Sequence, residues 1–511
     1  MARKLITLAL SLVLVLSLIP AHADAVDPST LEFMTFDWYF GQTEMPDTAI
    51  VNDAVNAYLL EKINANVNLH YWTAADFETR MTAMISSGED VGIIGFGSQT
   101  KLDYMIQSQR GAYYPLDDLL AEYGQGTLAL FDQAIWDGMR INGTIYGIPS
   151  LKDNGYYISL LYNAEMAEEL GIDIADYPHA NFRELEELFY IVKEGRDALH
   201  PEWAERPVTW DNSLIFPYNF ALETFLNDNY IAVCNIPGID DIAGKGVDEV
   251  FNLYETPEFL EFCLQKQRMV ADGIYAYDYT DRQEWQRDGS VFGAVGWGYT
   301  YVPADLLSSA YTTKMDMSTS IWTDTNNFSS AGTAISSNSP EDKAIRQMMM
   351  LNLVNTDSDF ATMMRFGIEG DHYTYDADGK MTFAGTKNEK PEERAYFHWY
   401  MAPIGNLTIV RAPENMTGPD NIMLTEMARL NSECLKAAHM GFSFFTENVA
   451  NEIAACTNVV KEYQESLCKG QAGSQDEVTE LVQEFNDKLA ANGIDKVIEE
   501  VQKQIDAWKA A

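Results

Sequence analysis

The chain has 511 residues, 47% hydrophobic and 12% aromatic, with 34 Lys and Arg against 77 Asp and Glu for a net charge of −43. That length exceeds one ordinary hydrophobic core, and the composition can fill two. So acidic a chain excludes nucleic acid and anionic membrane surfaces as partners, but leaves the charge of a small ligand open, because a local site can oppose the global field.

Arg3 and Lys4 precede an apolar run over residues 5–19, followed by Pro20 and Ala21-His22-Ala23. This is the pattern of a secretory leader cleaved after Ala23. The run of about fifteen apolar residues falls short of the ~20 that a spanning helix needs. The chain is therefore expected to be exported, to a periplasm or to the cell exterior. The first cysteine is Cys234, so no residue is placed to carry a lipid anchor at the mature N-terminus. With Cys263, Cys434, Cys456 and Cys468 it forms no dense disulfide framework; there is room for one bridge, whose partners spacing does not assign. No C-x-x-C or Cys/His spacing suggests zinc, and no metal is expected.

Residues 31–36 read as a strand running into a polar-aromatic loop, Asp37-Trp38-Tyr39-Phe40-Gly41. A helix over 47–64 follows, with Ile50, Val51, Ala54, Val55, Tyr58 and Leu59 on one face. A strand at 67–71, a helix at 75–86 and an apolar strand at 91–96 complete an alternation that signals a parallel sheet covered by helices. Asp117 is a candidate N-cap, and Asn142-Gly143 predicts a hairpin within 141–148. A second α/β stretch spans 155–320, with amphipathic helices near 181–195 and 256–272. A further hairpin lies at 373–383. Its turn, Asp376-Ala377-Asp378-Gly379, lacks the Gly and Glu placement of a calcium loop. Two helices separated by Asn492-Gly493 fill the tail. The expected architecture is α/β with two lobes: 24–150 plus about 325–400, and about 151–324 plus 401–511, joined by short crossings.

No constellation for catalysis emerges. Among 77 carboxylates no pair is singled out; G-x-S-x-G, Walker A and dinucleotide patterns are missing, and His179, His372 and His398 are scattered. No enzyme activity and no cofactor are expected. Aromatic residues beside polar ones at strand ends are more informative: Trp38 beside Asp37, Trp210 in Thr209-Trp210-Asp211-Asn212, and Trp297 with Tyr299 in a glycine-rich run. Ligands of doubly wound sheets bind at the carboxyl ends of strands, where aromatic faces stack on sugars and amides meet hydroxyls. Asp37, Gln99 and Asn212 are candidate hydroxyl partners.

Four stretches carry a resemblance: VNDAVNAYLLEKINANVNLHYWTAADFETRMTAMISSGEDVGII (51–94); GAYYPLDDLLAEY (111–123) running on to INGTIYGIPS (141–150); NSPEDKAIRQMMMLNLVNTDSDFATMMRFGIEGDHYTYDADGK (338–380); and NGIDKVIEEVQKQIDAWKAA (492–511). In these the chain resembles the extracellular solute-binding proteins of ABC importers, in the carbohydrate-type branch that includes LipO-like lipoproteins. The resemblance implies a periplasmic-binding-protein-like fold with a hinge and an inter-lobe cleft. It also implies a captured sugar or oligosaccharide, ABC permease subunits as partners, a monomer, and no hydrolysis. Glu369, within Gly367-Ile368-Glu369-Gly370, belongs to the most branch-specific stretch. The rival readings are a secreted glycan-active hydrolase, which needs a carboxylate pair in the cleft, and a peptide-binding receptor of the same fold.

Overall fold

A computed structural model of the chain describes residues 27–97, 100–155, 158–177, 183–211, 220–226, 229–239, 241–278, 280–281, 284–285, 288–297, 313–316, 321–398, 403–417 and 422–510. The leader and its cleavage site lie outside these.

The first half begins with β1 (Met34–Phe40), α1 (Thr48–Ile63), β2 (Ala65–Tyr71), α2 (Ala74–Ser86) and β3 (Ile93–Gly97), then the short α3 (Tyr104–Gln109) and β4 (Gly147–Pro149). β1 runs through the segment expected to be a loop. Phe36, Trp38 and Phe40 recur at period two and are all buried, so the apolar face of the strand carries on past Asp37. On α1 the buried residues are Val51, Val55, Leu59 and Ile63, a stripe at i, i+4; Ile50, expected on that face, is exposed. Asp117 does not cap its helix. Instead its carboxylate accepts from Arg140 (2.6 Å) and from the amide of Ile145 (2.9 Å), tying down the expected hairpin, in which Asn142 and Gly143 have φ of 53° and 84°.

The chain then builds β5 (Ile158–Tyr162), α4 (Glu186–Leu199), β6 (Thr209–Asp211), α5 (Pro257–Ala271), β7 (Tyr275–Ala276), β8 (Gly293–Trp297) and β9 (Thr313–Asp316). α5 starts as its sequence dictates: Thr256 Oγ1 accepts from the Phe259 amide and Pro257 occupies the first turn. After β10 (Trp322–Thr323) and α6 (Thr325–Ser329), β11 (Ala331–Ile335) returns to the first sheet. α7 (Glu341–Thr356) and α8 (Ser358–Phe366) cover that sheet, and β12 (Leu435–Lys436) pairs with β10. Three helices close the chain: α9 (Ala450–Cys468), α10 (Gln475–Ala491) and α11 (Ile494–Lys509). They pack with α5 around a core that includes Phe259, Tyr463, Phe485 and Val501, apart from the core beneath each sheet.

Two five-stranded sheets share one pattern. The first has the order β2-β1-β3-β11-β4 and the second β7-β6-β8-β5-β9. In each, three strands run parallel, the fourth is reversed and the fifth runs with the first three. In each, the reversed strand is the one by which the chain arrives from the other half.

Candidate functional site between the two sheets

Register fixes where the two halves face each other. Ala331, the first residue of β11, pairs with Gly97, the last of β3; Ile158, the first of β5, pairs with Trp297, the last of β8. The carboxyl ends of the parallel strands in both sheets therefore point to the crossing segments. Within the first sheet β1 has β2 on one side and β3 on the other, which makes their carboxyl ends a topological switch point, the usual place for a ligand in such sheets. Gly97 shows how close the crossing runs: its φ is 102°, and a Cβ there would sit 1.9 Å from the carbonyl oxygen of Ser330. Next to β1, Gln42 has a buried Oε1 with no hydrogen-bond partner among the described residues.

Three crossings are tied by asparagines. Asn327 Nδ2 donates to the carbonyl of Asn154 (2.8 Å), the amide of Asn154 donates to Asn431 Oδ1 (2.9 Å), and Asn431 Nδ2 donates to the carbonyl of Lys152 (2.5 Å). Leu407 donates to the carbonyl of Leu151 (2.8 Å). Beside these bonds Lys152 and Asp153 form a buried ion pair at 3.1 Å, and Ser150 Oγ is buried with no hydrogen-bond partner among the described residues. A buried pair of this kind returns little net stability, because desolvation offsets the attraction, so its effect is on geometry. A cavity of about 440 Å³ opens between α3, with Ile106 and Gln109, and Phe225 and Phe444 of the opposite half; Asn326 of α6 also lines it.

At the end of β2, Tyr71 stacks on His398 (5.1 Å between centroids) and its hydroxyl meets that of Tyr396 (3.2 Å). Arg365 donates to the carbonyl of Ile404 (2.5 Å), and its own carbonyl accepts from the His398 amide (2.7 Å). Burial pushes the His398 imidazole down to about 3 and the Arg365 guanidinium down to about 9. This buried cluster clamps the segment after Ala395 onto the first sheet, which places Pro403 against Gly95 of β3.

The residues expected to touch ligand fare differently. Trp38 is not on a loop: it sits mid-β1 at 0% exposure, stacked on Phe40 (4.9 Å), and has no free face. Trp210 is likewise in β6, 5% exposed, edge-on to Trp285. Asp37 projects from the other face of β1, where its carboxylate accepts from His70 Nε2 (2.7 Å) and Asn68 Nδ2 (3.1 Å); the bond to His70 holds it below the usual carboxylate range. Glu369 is exposed on the turn after α8. Trp297 ends β8, at the mouth; Gln99, Asn212 and Tyr299 lie outside the described residues. The asparagine ties and Gln42 were not anticipated. Their only signal in the sequence is polarity next to apolar strand ends. Among the described residues no group of three His, Cys, Asp or Glu could hold a metal, and no helix is long and apolar enough to cross a membrane. The Asp376 turn is closed by its own carboxylate, which accepts from the amides of Asp378 and Lys380.

Residues 438–510, which contain the three C-terminal helices, match the family model of a domain of unknown function, DUF3502. Over 464 residues, 89% of this chain and 86% of the relative, the sequence is 24% identical to a carbohydrate ABC transporter substrate-binding protein of Streptococcus pneumoniae serotype 4. Among solved structures, the N-glycan transport solute-binding protein NgtS of Streptococcus pneumoniae superposes with a TM-score of 0.75 at 21% identity, covering 93% of this chain and 98% of that one. Its complex with Man1GlcNAc gives 0.69 at 20% identity, over 94% and 100%. With two sheets of matching pattern facing across tied crossings, this chain has the two-lobed α/β fold of the solute-binding proteins of ABC importers.

Proposed function

We propose that the chain is the exported substrate-binding component of an ABC importer: it captures a sugar or oligosaccharide between its lobes and hands it to a membrane permease. The observation that carries this reading is the convergence of the carboxyl ends of both sheets on one set of tied crossings. A ligand seated there touches both halves only when they close, so binding favours the closed form. A sugar as cargo is supported by the relative named for carbohydrate transport and by the glycan in the NgtS complex. The lobes in this reading are residues 24–150 with about 325–400, and about 151–324 with 401–511. Trp297, Tyr299, Gln99 and Asn212, each at or just after the end of β3, β6 or β8, supply the stacking face and the amide and hydroxyl partners. The protein acts as a monomer, cut after Ala23 and without a lipid anchor, and it leaves its cargo chemically unchanged.

A thermal-shift screen of the mature protein against mono- and oligosaccharides, with short peptides as controls, tests the reading. One sugar class is expected to raise the midpoint, by about 2.7 kcal/mol of stabilisation at a hundredfold excess over its dissociation constant. Trp297→Ala is expected to weaken that sugar about tenfold while the fold is kept. Shifts with peptides alone, or cleavage of the sugar during incubation, overturn the assignment.

A further inference from the structure

A second cavity, of about 710 Å³, lies between the 140–145 hairpin of the first half and the C-terminal helices. Its floor is aromatic. Trp508 on α11 is 40% exposed, lines the cavity and stands edge-on to the buried Phe442 (5.9 Å) and His439 (6.5 Å).

The polar lining divides into groups that are already satisfied and groups that are not. Arg140 is held by Asp117 (2.6 Å) and Asp137 (3.4 Å). Glu500 accepts from Asn448 (2.8 Å) and Gln504 (3.0 Å). Glu500 is also paired with Lys503 (2.8 Å), and the cation of Arg140, shared by two carboxylates, is fully taken up. Ser443, 9% exposed, has a buried Oγ with no hydrogen-bond partner among the described residues. On the opposite rim the exposed Asn142 holds its left-handed turn with no bond to its carboxamide among those seen.

A part-exposed indole, an orphan hydroxyl and a free carboxamide stand beside a guanidinium already claimed. A lipid would strand the Ser443 and Asn142 groups, and an anion would find Arg140 already held by two carboxylates. A ring with an apolar C–H face and hydroxyls around its edge satisfies all three. We propose that this cavity is a saccharide-binding site separate from the cleft, taking one neutral sugar ring stacked on Trp508 and hydrogen-bonded by Ser443 and Asn142. Because its walls come from both halves of the molecule, a ring bound there is linked to the angle between them. By reciprocity, cargo in the cleft changes its affinity.

The test is calorimetric titration of the mature protein with glucose, mannose, N-acetylglucosamine and their disaccharides, with parallel runs on Trp508→Ala, Asn142→Gly and Trp297→Ala. Asn142→Gly keeps the left-handed turn and lies outside every core, so it guards against a folding defect in Trp508→Ala. The expected result is a sugar-binding event weakened about tenfold by Trp508→Ala and by Asn142→Gly, and untouched by Trp297→Ala. If every sugar-binding event responds to Trp297→Ala alone, the cavity site is overturned and the cleft reading stands. If the wild-type protein binds none of these sugars, the cavity proposal falls with them, whatever cargo the cleft takes.

Discussion

His398 shows how much one buried side chain can decide. Its ring is 4% exposed, stacked on Tyr71, and its Nε2 has no hydrogen-bond partner among the described residues. Burial, with a smaller push from the Arg365 charge, brings its pKa from 6.5 to about 3. Between those values the unfolded chain takes up a proton that the folded chain refuses, so stability falls as pH falls through that window. At pH 5 the loss is about 2 kcal/mol. His398→Phe, which keeps the stack and removes the titration, is expected to flatten the pH dependence of urea unfolding between pH 6.5 and 4.5; an unchanged slope would show that the ring is not held neutral. The same scale explains why two of the expected contact residues belong to the core. Trp38 and Trp210 each stand next to an aspartate, which in a linear reading looks like a loop. Period-two alternation, with Phe36 and Phe40 flanking Trp38, was the signal that outweighed it.

Among the elements, β3 is the one whose end is most constrained. Its five residues are all buried, and the positive φ of Gly97 lets the crossing chain at Ser330 pass within contact of it. Gly97→Ala meets both a backbone conformation that side chains rarely adopt and a Cβ clash, so a loss of more than about 3 kcal/mol is expected in denaturant unfolding. A loss under about 1 kcal/mol would mean that the crossing can move aside. Elements of this kind were legible where their pattern is local: α1 from its apolar stripe, α5 from its amphipathic spacing near 256–272, the hairpin from Asn142-Gly143. What could not be read was anything made by distant partners. Asn154, Asn327 and Asn431 are ordinary polar residues in sequence, and only the fold brings them together as ties. Asp117 is a plausible cap until Arg140 and Ile145 are seen to claim its oxygens.

At the scale of the whole molecule, alternating strands and helices foretold two α/β halves, and short connections foretold crossings rather than a tether. Residues 475–511 were read as two terminal helices; the third, α9, and their shared core with α5 emerge only in three dimensions. The exchange of reversed strands has a consequence for the order in which the protein is made. Leaving the ribosome, or emerging on the far side of the membrane, residues 34–149 hold four strands of the first sheet but lack β11, which stands between β3 and β4. Until residue 335 arrives, β3 has an unpaired edge and β4 has no neighbour. The first sheet therefore cannot be completed until nearly two-thirds of the chain has been made. A fragment ending at residue 155 is accordingly expected to show little amide-exchange protection in β3. Addition of a 321–366 segment in trans should raise it, and strong protection in the fragment alone would overturn this order of assembly.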